Sequence, residues 1–289
     1  MERARFVAID ENRIEAYAEG LRGSPAGAEP PPAAGEREAV AAFAICMNAI
    51  NFGSGWWPTV RKRPGHSGYA TMAAGVRDRF TARGPWSAEE LAAIDAAMIA
   101  AVLGQEAEHP LMAQFAEALR DVGGHLLAEN GGRYLAVVEG VESIPDLAAV
   151  FGAWEAFADV SAYDGAAVPF FKRAQLAAAD LHRAGVVELP GAERLTAFAD
   201  NLVPQVLRVD GVLRLDPGLT ATIEAGELLT HGSAEEVELR AAVVHAVELL
   251  AAATGGALSP AEIDSALWER GGEPRYKAIP RPRSRNTAY

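Results

Sequence analysis

The stretch Pro169-Phe170-Phe171-Lys172-Arg173-Ala174-Gln175-Leu176 opens a helix that runs towards Gly185. Lys172 and Arg173 then fall in its first turn, where the positive end of the helix dipole disfavours a cation by about 0.3–1 kcal/mol each. Two aromatic residues immediately precede Lys172. Its ammonium is therefore either partly desolvated and ready to meet an anion, or carried out to water with Arg173 on a snorkelling stem.

Helix prevails on either side of this stretch. Ala, Leu and Glu dominate while Thr, Ile and Tyr are sparse, so the summed preference of most windows favours helix over strand. Three S-x-x-E capping boxes, Ser87 with Glu90, Ser233 with Glu236 and Ser259 with Glu262, place helix starts. Glycines near Gly104, Gly123-Gly124, Gly131-Gly132, Gly185 and Gly255-Gly256 place helix stops. Only Tyr134 to Val138 and Val209 to Leu215 read as strand-like, the latter turning at Asp210-Gly211. A Pro/Gly-rich loop is expected at 23–35, and no solenoid repeat or sustained heptad occurs. The expected architecture is one mainly α domain over 1–289, an irregular helical bundle with at most a small β-hairpin.

The formal charge of −13 opposes binding to large nucleic acids, because phosphate-dominated affinity needs a basic face. Cations nevertheless cluster, as Arg61-Lys62-Arg63 and as Arg275, Lys277, Arg281, Arg283 and Arg285. Such clusters either hold one small anion or are a solvated chain end. Met1 to Arg5 lead into an amphipathic segment with no apolar leader, and no apolar run approaches membrane-spanning length. With Cys46 as the sole cysteine, no intrachain disulfide forms, and the expected compartment is the cytoplasm. The six histidines include no pair at helical metal spacing, and no GxxxxGK[ST], strand-bounded GxGxxG, GxSxG or HExxH motif is present. No metal, cofactor or membrane partner is expected.

Three further places break local rules. Asp200 ends one helical pattern just before Pro204 opens another, where Asp200 or Asn201 either caps the second helix or is held for chemistry. In the helix after Ser233, Glu238, Arg240, His245 and Glu248 share no single polar arc, so they pair with one another or line a wet cavity. Glycines alternate with polar and aromatic residues from Asn48 to Pro58, which suits either stacking on a planar ligand or anchoring a core.

These places also carry an ordered resemblance to the queuosine salvage family. It covers Arg5 to Ala8, Asn51-Phe52 to Trp56, Trp86-Ser87, Gly131-Gly132, Asp159-Val160, Phe171 to Gln175, Phe198-Ala199-Asp200, Pro204 to Leu207, Glu236 to Arg240, Leu267-Trp268, and Lys277 with Ile279-Pro280. The combination of Lys-Arg-Ala-Gln, Phe-Ala-Asp and Pro-Gln-Val-Leu is specific. The resemblance implies a fold like the helical DNA glycosylases and cofactor-free hydrolysis of queuosine 5′-phosphate, with a catalytic pair that falls on Lys172 and Asp200. It implies substrate contacts from Asn51, Phe52, Trp56, Trp57, Trp86, His231, Glu238, Arg240, Lys277, Arg283 and Arg285, in a monomer. The chain departs from the family pattern at Asn201 and Leu202, at His231-Gly232, and in an aromatic loop longer by two residues, which leaves Trp56 and Trp57 both eligible for the base. The rival expectations are a DNA base-excision glycosylase and a noncatalytic helical module that binds a nucleotide or protein.

Overall fold

The computed structural model describes residues 3–22 and 36–289, so the loop expected at 23–35 lies outside the described residues. The chain is mainly helical. Helices α1 (Ile14–Leu21), α2 (Arg37–Ala49), α3 (Gly68–Arg83), α4 (Ala88–Ala92), α5 (Ala96–Leu103), α6 (Pro110–Glu129) and α7 (Ile144–Gly152) come first. They are followed by α8 (Lys172–Arg183), α9 (Val203–Val209), α10 (Pro217–Glu224), α11 (Ala234–Ala253), α12 (Pro260–Arg270) and α13 (Pro274–Lys277). Four short strands, β1 (Val7–Ile9), β2 (Val160–Tyr163), β3 (Ala166–Pro169) and β4 (Leu213–Leu215), form two antiparallel pairs. Among the described residues no helix is long and apolar enough to cross a membrane.

The capping boxes at Ser87 and Ser259 are complete. At Ser233 only half the box forms, because the Glu236 carboxylate turns to the amide of Gly232 instead of closing on Ser233. Gly123 and Gly124 do not stop a helix but lie inside α6. A Cβ on Gly123 would meet the Ala92 amide at 2.5 Å, so this glycine serves the close approach of α4 to α6.

Both strand expectations require correction. The segment after Tyr134 is a tight 3-10 turn, because the Glu38 carboxylate takes the amides of Tyr134 and Leu135 that a ladder would need. No hairpin forms across Asp210-Gly211, since helix persists to Val209 and only Leu213–Leu215 is extended. That strand pairs instead with β1, Val7 opposite Leu215 and Ile9 opposite Leu213. The hairpin of the fold is β2–β3, turned at Asp164-Gly165 with both residues at positive φ. The residues from Leu195 to Asp200 carry no helix, and Pro169 closes β3 rather than opening α8.

Two apolar cores organise the helices. The larger is built from α2 to α8 and includes Phe115, Phe151, Phe157 and Trp154. The smaller joins β1 and α1 to α9, α11 and α12, so early and late parts of the chain share one core. Ala174, Ala177, Ala178 and Leu181 recur at helical spacing along α8 and bury it against α2 and α7. A small third cluster of Phe170, Ala199 and Val237 joins the residues just before Lys172 to those just before Asp200. Asp210, at the end of α9, ties the second core together by accepting from Tyr17, Tyr276 and Arg275.

The segment after Ile279 runs back between the cores. Asn201 donates to the Pro282 carbonyl and Gln205 to that of Ile279, while the Gly53 amide donates to Tyr289. Ser284 is fully buried, and a Cβ on Gly55 would come within 2.1 Å of its carbonyl oxygen.

Candidate active site

Lys172 owes its position to an abrupt change of direction between β3 and α8. Phe171 takes a left-handed conformation, φ 49°, at the helix cap. Three consecutive amides converge on Asp159: those of Phe170 and Phe171 donate to its carbonyl, and that of Lys172 to Oδ2 at 3.0 Å. The carboxylate thus supplies the negative charge that a helix N-terminus favours. Lys172 and Arg173 do not snorkel, being only 5% and 2% exposed. The Lys172 ammonium donates to the carbonyl of Asn51 at 2.9 Å. No carboxylate among the described residues lies within ion-pair distance of it. Burial pushes Lys172 down from 10.5 to about 8, and Asp200 is the charge that most strongly opposes the fall.

Asp200 meets the capping reading. Oδ1 accepts from the amides of Leu202 at 2.7 Å and Val203 at 3.1 Å, which caps α9 and fixes the carboxyl plane. Oδ2 has no hydrogen-bond partner among the described residues. A carboxylate held on one oxygen and free on the other, beside a desolvated ammonium, can stabilise a developing positive charge.

Asp264, on α12, joins this group and escaped the sequence reading. It is 3% exposed, and Oδ1 accepts from the Phe198 amide at 3.0 Å. Burial, reinforced by Asp200, pushes it from 3.8 up to about 8. The signal was a carboxylate on the buried face of α12 among Ala261, Ile263 and Leu267. Between about 4 and 8 the folded state binds this proton and the unfolded state does not, so stability falls as pH rises through that window. Asp264→Asn keeps the acceptor and removes the titration, and is expected to raise Tm at pH 8 by at least about 2 °C, with a smaller gain at pH 5. Melts at the two pH values check this. An equal effect at both would show that the carboxyl does not titrate in the window.

The other expected contacts fall into distinct groups. Phe52 is buried with the Arg173 guanidinium 4.8 Å over its ring and Phe115 against it edge-on. Arg173 itself donates to the Ala49 carbonyl, so these two residues brace the loop that carries Asn51. Trp56 lies beneath Arg285, and Trp57 between Gly68 and the Lys62 ammonium, 5.1 Å from its ring. Trp86 packs on Phe80 in the larger core, with its carbonyl taken by Tyr134. His231 is exposed beside Glu236 at 3.5 Å.

Glu238 and Arg240 are satisfied by the protein itself. Glu238 Oε2 accepts the amides of Arg5, Phe6 and Val7, and Oε1 accepts from Tyr163. Arg240 makes a two-pronged ion pair with Asp159, at 2.8 and 2.6 Å. The two residues thus pair not with each other but with groups on other elements, Glu238 with the amides at β1 and Tyr163, Arg240 with Asp159.

The two basic runs of the sequence meet. Arg281 and Lys277 are the cations felt by Lys62, and Arg281 feels Asp200. None of Lys62, Lys277 and Arg281 forms an ion pair with a described carboxylate. Arg283 is engaged differently, donating to the carbonyls of Trp57 and Gly226 at 2.8 and 2.6 Å. Among the described residues no group of three His, Cys, Asp or Glu side chains could hold a metal ion.

Residues 31–289 match the family model described as queuosine salvage protein. A protein of Sphaerobacter thermophilus named queuosine 5′-phosphate N-glycosylase/hydrolase is 34% identical over 266 residues, covering 88% of this chain and 82% of its own length. A Dictyostelium discoideum protein of the same name is 27% identical over 264 residues, covering 87% and 79%. One from Mus musculus is 30% identical over 198 residues, covering 62% and 59%.

Proposed function

The chain belongs to the queuosine salvage protein family, and we propose that it hydrolyses the N-glycosidic bond of queuosine 5′-phosphate, releasing queuine and ribose 5-phosphate for queuine salvage. The observation that carries this reading is Asp200, capped through one oxygen, open through the other, and electrostatically linked to a buried Lys172. Water is the acceptor of the glycosyl group, so no redox or group-carrying cofactor takes part in the reaction.

The leaving group dictates where catalysis acts. A 7-deazaguanine carries carbon where guanine has N7, so the base offers no proton acceptor at that position. The barrier is lowered from the sugar side, where positive charge builds in an oxocarbenium-like transition state. Asp200 Oδ2 stabilises that charge, electrostatically or by transient attack on C1′. Lys172 faces Asp200 as a cation and donates its remaining N–H groups to the sugar hydroxyls. Trp56 and Trp57 are the rings assigned to the flat base, while Phe52 is already faced by the Arg173 guanidinium.

The 5′-phosphate is assigned to the cationic group of Lys62, Lys277 and Arg281, with Arg285 at its edge. Among the described residues these cations have no carboxylate partner, in an acidic chain, and Arg281 lies within electrostatic reach of Asp200. The double variant Lys62→Ala with Arg281→Ala is expected to raise KM for the nucleotide about 10-fold and to change KM for the nucleoside much less. Equal changes for both substrates would remove these residues from the phosphate site.

Incubation with queuosine 5′-phosphate, followed by chromatography for the free base, tests the function itself. Free queuine and ribose 5-phosphate in equal amounts are the expected products. An intact nucleotide after prolonged incubation with folded protein would refute the reading.

A further inference from the structure

Lys172 and Asp200 stand on different elements, and their separation is set where those elements meet. Lys172 begins α8, while Asp200 lies in the irregular segment before α9, a segment whose Phe198 packs in the larger core and whose Ala197 packs in the smaller one. Gln175 of α8 bonds Thr196 of that segment, and nearer to the two residues themselves a buried ion pair spans the junction. On one side Asp159 Oδ2 receives the Lys172 amide at 3.0 Å, and the Asp159 carbonyl receives the amides of Phe170 and Phe171. On the other side Arg240 Nε donates to the carbonyl of Ala199, the residue before Asp200, at 2.9 Å. The two halves meet in the two-pronged contact between the Arg240 guanidinium and the Asp159 carboxylate.

The pair is placed as a rigid spacer. Asp159 and Arg240 are 3% and 1% exposed, and the guanidinium is sandwiched between the rings of Phe170 at 3.9 Å and Tyr289 at 4.6 Å. Burying two charges carries a desolvation cost that often cancels their attraction, so such a pair is a poor device for stability alone. It is a good device for geometry, because the planar fork of arginine fixes direction as well as distance.

We propose that the Asp159–Arg240 pair sets the separation and orientation of Lys172 and Asp200, acting as a positioning pair that does not touch substrate. This rests on the functional reading above, in which those two residues carry the reaction. Lysine at position 240 keeps the charge beside Asp159 but lacks the fork needed to hold Ala199 as well. Arg240→Lys therefore loosens Asp200 relative to Lys172 without leaving a buried carboxylate unpaired.

The test is a double-variant cycle, with wild-type turnover of queuosine 5′-phosphate as the control for the functional reading. Arg240→Lys is expected to lower kcat about 10- to 100-fold with KM within about threefold, in protein whose circular dichroism is native. In an Asp200→Asn background the same substitution is expected to cause little further loss, because the group it positions has already lost its charge. Asp159→Asn, which preserves shape, carries the same comparison should Arg240→Lys not fold at the assay temperature. An equal fold-loss in both backgrounds would mark a general structural role and overturn the proposal. An unchanged kcat in Arg240→Lys would overturn it too, whereas an inactive wild type would instead remove the functional reading on which it rests.

Discussion

Asp200→Asn is expected to lower kcat by at least ~100-fold and to leave KM within about threefold of the wild-type value. Asparagine preserves the shape of the side chain and its carbonyl oxygen still accepts from the amides of Leu202 and Val203, so the cap on α9 survives. What disappears is the negative charge on the free oxygen. If that charge stabilises the oxocarbenium-like sugar, its loss falls on the transition state and not on the bound ground state. Steady-state kinetics and a thermal melt on the same preparation separate this outcome from unfolding. A folded Asp200→Asn enzyme with near-native turnover would defeat the assignment, and Asp264, a buried carboxyl whose charge also acts on Lys172, becomes the next to test.

Lys172→Ala is expected to lower kcat by at least ~10-fold, and its combination with Asp200→Asn to lose less than the product of the single losses, because the two residues act as a unit. Wild-type kcat is expected to fall above about pH 8, where the buried ammonium loses its proton. Asp200, Asp264 and Asp159 oppose that loss and Arg173 favours it, while Asp180 is a further acidic neighbour. Asp264 ionises in the same range, so the Asp264→Asn enzyme isolates the lysine: an alkaline fall that persists there belongs to Lys172. Stability moves in the opposite sense. A lysine whose folded value is lowered from 10.5 to about 8 binds fewer protons folded than unfolded between those limits, so its contribution to stability grows as pH rises through that window. Activity falling while this contribution rises distinguishes titration of Lys172 from alkaline unfolding. A kcat flat to pH 10 would show that the ammonium is not required.

What the sequence alone determined about this protein is what neighbouring residues settle among themselves. Helix content follows from side-chain preference summed along the chain, and the starts at Ser87 and Ser259 follow from boxes that close within four residues. The placement of Lys172 and Arg173 in a first turn and the capping capacity of Asp200 are local in the same way. Even the misfit of Glu238 and Arg240 on an apolar helix was legible, because periodicity exposes a charge on the wrong face.

Their partners were not legible. Glu238 caps the amides of Arg5 to Val7, Arg240 reaches Asp159, Lys62 meets Arg281, and β4 pairs with β1 rather than across its own turn. Each of those contacts joins segments far apart in the chain, and an ion pair or a strand ladder leaves no period in the intervening sequence. The misreading of Tyr134 to Val138 has the same origin, since a distant glutamate took the amides that local preference offered to a strand. Tertiary structure alone decided that the two cores share a seam, and that at this seam Lys172 is dry enough to lose its proton near pH 8. Proximity and dehydration are properties of the packed chain, set by which surfaces exclude water together, and no residue carries them by itself.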